Sequence, residues 1–168
     1  MSVSSTPRAT ASNACLRPLQ ADDVNALATF LPQLLHGDWS ARKLRELMQS
    51  TSRLRVLCTG TGTGTCVTGF AEYQQVLDEG HLLALAVAPR WQGRGLGKAL
   101  LAAVLAEMQG SGCRRCLLEV RRSNTAAQGL YQSAGFELDG VRTAYYAGLG
   151  PDQPSEDALL YSLSLGSS

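Results

Sequence analysis

The sequence predicts an α/β domain built on a mixed sheet with helices on its faces. Two observations carry that expectation. Apolar runs at 81–88 and 116–120 are each followed, within a few residues, by an amphipathic helical pattern. Strand-like segments also outnumber helical ones: the order is a strand, two helices, four or five strands interrupted by two helices, and a closing hairpin. At 168 residues the chain fits one domain with a sizeable core, read as residues 15–168 behind a disordered, Ser/Thr/Ala-rich leader over 1–14.

Residues 15–19 (Cys-Leu-Arg-Pro-Leu) read as a short first strand, after which Asp22 or Asp23 is placed to cap a helix running toward Leu35. Ser40 is a second cap candidate, ahead of the helix formers of 41–49. Alternation over 53–58 predicts a strand. From Thr59 to Thr65 the chain alternates Thr with Gly and reads as a loop tip, without the Lys-Ser/Thr ending of a phosphate loop. Segments 66–77 and 81–88 form two strands joined tightly at Asp78-Glu79-Gly80. The second is apolar almost throughout, which predicts cover on both faces, and Pro89 ends it. From Gly95 to Met108 the residues Leu96, Leu100, Val104 and Met108 recur every four positions, with Leu101 and Leu105 beside them. Gly110-Ser111-Gly112 stops that helix. Cys116 to Val120 is a further buried strand, and Asn124 to Ala134 a helix ended by Gly135. Two strands close the chain, around 136–146 and 157–165, separated by the Gly/Pro-rich 147–155.

A formal net charge of +1 provides no field to hold phosphate backbones or anionic lipid, so neither nucleic acid nor a membrane is expected as a partner. No apolar run approaches the roughly 20 residues of a membrane-spanning helix, and the first residues lack a secretory signal's apolar centre. The expected location is the cytoplasm. Cys15, Cys58, Cys66, Cys113 and Cys116 are an odd set without framework spacing and read as reduced thiols. Cys113-Arg-Arg-Cys116 would supply half a zinc site, yet neither His36 nor His81 sits in a matching second half. No metal is expected, and these cysteines read as strand filling.

Between the apolar strand and the helix lies Arg90-Trp-Gln-Gly-Arg-Gly-Leu-Gly-Lys98. A helix start offers about four unpaired N–H groups and a partial positive charge. Gly93, Gly95 and Gly97 leave that backbone open to close approach, and Arg94 and Lys98 add cations, so the place suits a pyrophosphate. A Gly-rich turn that only packs strand against helix would look alike. A dinucleotide fingerprint is the rival phosphate reading, but it belongs in a first βαβ unit. Here the loop follows a β-meander, and Glu119 lies 24 residues beyond Gly95.

Gln92-Gly-Arg-Gly-Leu-Gly97 resembles the Gln/Arg-x-x-Gly-x-Gly/Ala signature of the GNAT N-acetyltransferases. Further matches are Leu118-Glu-Val-Arg121, Ser123-Asn124, Ala127 and Leu130-Tyr-Gln-Ser-Ala-Gly-Phe136. With Val141-Arg142, Tyr145-Tyr146 and Glu156-Asp157-Ala158, they resemble the RimI-type ribosomal-protein-alanine N-acetyltransferases. The resemblance implies a GNAT fold, a mostly antiparallel central sheet with helices on both faces, and acetyl-CoA as co-substrate. It implies that the backbone of Leu85, Ala86 and Val87 lies beside the pantetheine and acetyl group. Gly93, Arg94, Gly95, Leu96, Gly97 and Lys98 would wrap the pyrophosphate, and Asn124 would also touch the coenzyme. Glu119 matches the family's general base, Tyr131 its general acid, and Tyr145 and Tyr146 the tyrosines lining its peptide end. The implied acceptor is the amino terminus of a protein, the N-terminal alanine of a small-subunit ribosomal protein. One departure is Ala88-Pro89, where RimI-like sequences carry Asp-Pro.

The chemistry asks for such residues. An α-amino group has a pKa of about 7.7–8.0, so at neutral pH it must lose a proton before it attacks a thioester. A carboxylate can accept that proton, and Glu119 ends the apolar run Cys116-Leu-Leu, where desolvation would favour proton uptake. A phenol can protonate the departing thiolate, and Tyr131 lies on the helix after Glu119's strand. Each has a plain alternative: a strand glutamate facing water, a half-buried core tyrosine, and Asn124 as a helix cap. Tyr145 and Tyr146 would otherwise be an aromatic strand pair, and strand alternation allows at most one of them to reach a substrate. His36 and His81 have no catalytic part in this reading, and Trp39 and Trp91 pack. Two other functions remain consistent with the sequence: a GNAT enzyme for a small amine, and an acetyl-CoA-binding module without turnover.

Overall fold

The computed structural model describes residues 14–60, 66–148, 150 and 152–166. The expected leader over 1–14 lies outside them except for Ala14, which opens the first strand opposite Thr59 and so is not leader, and the 61–65 part of the Thr/Gly run lies outside them too. In chain order the elements are β1 (Ala14–Pro18), α1 (Val24–Leu34), α2 (Ala41–Leu47), β2 (Arg53–Thr59), β3 (Cys66–Val76) and β4 (Glu79–Val87). There follow α3 (Leu96–Gly110), β5 (Arg115–Arg121), α4 (Thr125–Ser133), β6 (Glu137–Tyr146) and β7 (Glu156–Ser164). The seven strands are ordered β1-β2-β3-β4-β5-β7-β6. Pairs β1–β2, β5–β7 and β6–β7 are antiparallel and β4–β5 is parallel, the expected mixed, mostly antiparallel sheet. The described residues form two compact units, one of residues up to Glu72 with Ala84–Ala103, the other of Tyr73–Leu83 with the residues from Val104 on.

In the first unit, α1 and α2 bury Leu27, Leu31 and Leu44 in a cluster with Val56 and Phe70, all at 0% exposure. Trp39 and Trp91 pack against this cluster, Trp39 edge-on to Phe70 at 5.6 Å, so both tryptophans are packing residues. Ser40 caps α2 by accepting the Lys43 N–H at 3.3 Å. Asp23 does not cap α1. Its buried carboxylate turns back to the Gln20 N–H at 2.8 Å and to both terminal nitrogens of Arg17 at 2.7 Å, around a 3-10 turn at Ala21–Asp23. The Arg17 guanidinium holds that carboxylate below its ordinary range.

In the second unit the hairpin connection is Leu77-Asp78, one step earlier than expected, with Leu77 at φ +56°. Gly80 belongs instead to β4, because Met108 of α3 packs on it: a Cβ there would stand 2.7 Å from the Met108 sulfur. The even face of β4 is buried, but the expected cover on both faces is absent. His81 is half-buried and Leu83 is 52% exposed. β5 repeats the pattern, with Cys116, Leu118 and Val120 buried, Leu117 half-buried and Glu119 exposed. In the parallel register His81 faces Leu117 and Leu82 faces Leu118, and the ladder ends there although β4 runs on to Val87 and β5 to Arg121. At His81 and Leu83 the apolar run thus marks a face left open. Cys113 and Cys116 are free and buried, and burial pushes the Cys116 thiol up to about 12, so it stays protonated as a packing group. Among the described residues no group of three or more His, Cys, Asp or Glu is gathered as for a metal, and no helix is long and apolar enough to cross a membrane.

Candidate active site

The Gly-rich loop lies in the first unit. Gly93 and Gly95 adopt φ +70° and +76°, left-handed values that cost an L-residue about 1–2 kcal/mol. Nothing lies within 4 Å of where a Cβ would stand at either position, so both glycines are required by backbone conformation and the space above them is open. Gly95 ends in the start of the 15-residue α3, whose first N–H groups have no carbonyl partner within the helix. Gln92 fixes the approach by donating from its side chain to the Val87 carbonyl at 2.9 Å. Arg94 is not extended from the loop; its guanidinium lies 4.9 Å above the Trp91 ring, and Lys98 is exposed on the first turn. Leu85 is half-buried, Ala86 and Val87 are buried, and Leu96 and Gly97 form the first residues of α3. Such a loop fits a pyrophosphate: open backbone, a helix N-terminus and nearby cations. Gly95→Ala forces the strained φ onto alanine; the expected result is a rise in the coenzyme's KM of about tenfold with the acceptor's KM unchanged, read by steady-state kinetics.

In the second unit a cleft of about 580 Å³ opens on the uncovered face of β4 and β5. Glu119, Arg142, Tyr145, Tyr146, His81 and Leu83 are among its lining residues. Glu119 is not desolvated as expected: its side chain is 31% exposed, and its carboxylate pairs with the Arg142 guanidinium at 2.9 Å. Arg142 in turn lies 5.2 Å from the Tyr145 ring centre. Tyr145 and Tyr146 pack edge to face at 5.1 Å, and both line the cleft. The regular alternation on which the expectation of at most one substrate-reaching tyrosine rested does not hold at this strand end. The β6–β7 register passes from Arg142 opposite Ala158 to Tyr146 opposite Glu156, so three residues of β6 stand against Asp157 alone, and the bulge breaks the alternation. Burial, and then the Glu119 charge, raise the Tyr146 phenol above its usual range.

Tyr131 and Asn124 are not among the residues lining this cleft. Tyr131 is buried on α4, its ring 5.7 Å from Phe136, and burial pushes its phenol up to about 12. The proton therefore stays on it throughout the neutral range. Asn124 is the cap of α4, its side chain accepting the Ala127 N–H at 3.1 Å.

The family model for the acetyltransferase (GNAT) family matches residues 25–136, two thirds of the chain. The chain belongs to the GNAT family. Among curated relatives, this GNAT chain is 42% identical over 99 residues to the [ribosomal protein bS18]-alanine N-acetyltransferase of Haemophilus ducreyi and 40% identical over 99 residues to that of Escherichia coli. Those stretches cover 59% of this chain and 67% and 65% of the two relatives, so the match spans about two thirds of their length. The crystal structure of the ribosomal-protein-S18-alanine N-acetyltransferase from Escherichia coli superposes with a TM-score of 0.76 at 32% identity, over 92% of this chain and 96% of that one. A spermidine N-acetyltransferase from Vibrio cholerae reaches 0.78 at 19% identity over 92% and 95%, a likeness of fold alone.

Sequence reasoning missed three groups that shape this GNAT site. Arg142 is Glu119's partner, and the two sit on strands separated by β7, so no local spacing links them. Arg121 and Glu156 pair at 3.2 Å, and Arg121 also lies 4.4 Å from the Tyr146 ring centre and donates to the Ala147 carbonyl. Asp157 bonds the bulge itself, accepting the Ala144 N–H at 3.0 Å.

Proposed function

We propose that this acetyltransferase moves acetyl from acetyl-CoA to the α-amino group of a protein in the cytoplasm, the N-terminal alanine of a small-subunit ribosomal protein. The observation that supports a peptide acceptor best is the bulge in β6, through which two tyrosines and Glu119 line one cleft. Two aromatic rings side by side give a peptide's first side chain and backbone apolar contact area beside the carboxylate that receives its ammonium. The names of the relatives at 40–42% identity point to the same acceptor.

In this reading the loop from Gly93 to Lys98 binds the coenzyme's pyrophosphate, the backbone of Leu85, Ala86 and Val87 accompanies the pantetheine, and Asn124 adds a coenzyme contact. Glu119 accepts the proton that the ammonium must lose as nitrogen attacks the thioester carbon and the C–N bond forms. The incoming ammonium carries the same charge as Arg142 and takes its place on the carboxylate. As the C–S bond breaks, Tyr131 gives its proton to sulfur; the second proton that nitrogen sheds after the C–N bond forms restores the phenol, and the proton on Glu119 is the one released to solvent. Net, one ammonium and one thioester become one amide, one thiol and one released proton.

The test is acetyl-CoA turnover on short peptides that differ only at residue one, beside a polyamine and a peptide with an internal lysine. Turnover on the alanine peptide, lost when its amino terminus is blocked, is the expected result. Turnover on the polyamine alone would sink the protein substrate and leave the coenzyme chemistry standing.

A further inference from the structure

The two tyrosines share a cleft because the end of β6 departs from strand geometry, and one side chain bonds the backbone at the point of departure. Arg142 stands opposite Ala158 and Tyr146 opposite Glu156, so Thr143, Ala144 and Tyr145 together face Asp157. Ala144 sits at φ +51°, a left-handed conformation that alanine does not adopt without support. The support is the Asp157 carboxylate. Its Oδ1 accepts the Ala144 N–H at 3.0 Å, while Oδ2 is held by Arg122, with Nε at 3.1 Å and the terminal nitrogen at 3.0 Å. Arg122 directly precedes the Ser123-Asn124 turn that opens α4, so the carboxylate is itself anchored to a second element. The Ala144 N–H is the leading reason why that carboxylate lies below its ordinary range.

We propose that Asp157 is a positioning residue that sets acceptor affinity: by holding Ala144 left-handed it turns Tyr145 and Tyr146 into one cleft beside Glu119. Without the bulge, residues 145 and 146 return to alternation and one ring leaves the cleft. Glu119 and the coenzyme loop are untouched, so acceptor binding suffers and the chemical step does not. The proposal rests on the peptide-acceptor reading only for the choice of acceptor in the assay. The bulge itself is read separately, by hydrogen exchange at the Ala144 amide.

The experiment uses the full chain and four variants, assayed with whichever acceptor the wild type acetylates. Asp157→Ala should raise the acceptor's KM about tenfold, leave kcat and the acetyl-CoA KM within about twofold, and speed exchange at Ala144. Adding Ala144→Gly to Asp157→Ala should recover most of the acceptor's KM, because glycine takes φ +51° without support. A role confined to pairing with Arg122 predicts no such rescue. Arg122→Gln keeps the Ala144 bond and should change the acceptor's KM by less than about threefold. If Asp157→Ala alone does not fold, Asp157→Asn carries the test, since its amide oxygen still accepts the Ala144 N–H; its KM should stay within about threefold of wild type. The proposal is overturned by an unchanged acceptor KM in Asp157→Ala, by failure of the glycine rescue, or by a tenfold rise in Asp157→Asn. A wild type without turnover on any peptide tells instead against the substrate reading, and exchange at Ala144 still decides whether Asp157 holds the bulge.

Discussion

Glu119→Gln lowers kcat/KM by about 10²- to 10⁴-fold at neutral pH and leaves acetyl-CoA binding, measured by calorimetry, within about twofold. The amide fills the same volume at the end of the open face of β5, so the strand and its pairing with Leu160 of β7 persist. In the proposed mechanism what is lost is an anionic acceptor for the ammonium proton. The substitution also releases Arg142, whose guanidinium loses its partner at 2.9 Å but is half exposed and rehydrates, so the fold loses little. Thermal unfolding within about 2 °C of wild type is the matching control. Turnover that survives the change would remove Glu119 as the base and direct attention to His81, which lines the same cleft.

Much of the fold was legible because periodicity and punctuation are local. Leu96, Leu100, Val104 and Met108 spell a helix at any position in a chain, and Ser40 announces α2 by its side chain alone. The Gly-rich loop ahead of α3 was legible for the same reason, since its glycines, its helix and its cations are contiguous. What could not be read were features decided by distance in the fold. The apolar run of β4 predicts cover on both faces, and only the tertiary arrangement leaves Leu83 bare beside a cleft. Gly80 carries every sign of a turn residue, yet it is glycine because a methionine 28 positions later packs on it. Asp23 follows the rule for a helix cap but is claimed by Arg17 from β1. Tyr145 and Tyr146 obey alternation only where a strand is regular, and the bulge that overrides it depends on Asp157, which lies on another strand. Arg142 is the clearest case. Its ion pair with Glu119 spans an intervening strand, so it becomes visible once the order β5-β7-β6 is known.

Tyr131→Phe lowers kcat by about 10²-fold or more while the KM values of both substrates stay within about threefold. The ring remains on Phe136 and the hydroxyl is the only loss, so affinity and fold have little to respond to. A departing thiolate has an ordinary pKa near 8.5, well below the value of about 12 to which burial pushes the phenol. In the proposed mechanism proton transfer therefore runs uphill from a relaxed state and accompanies C–S cleavage, when charge on sulfur is growing. The same burial yields a second signature that is independent of any substrate. A phenol whose folded pKa is raised from 10 to about 12 stabilises the fold fully below pH 10 and loses that contribution as pH rises toward 12, because only the unfolded chain ionises readily in that window. Wild-type stability should fall by roughly 2 kcal/mol more than that of Tyr131→Phe between pH 10 and 12, read by urea unfolding at each pH. Equal alkaline losses in the two proteins would show that Tyr131 is reached by water, and a donor reached by water would have no reason to wait for the thiolate.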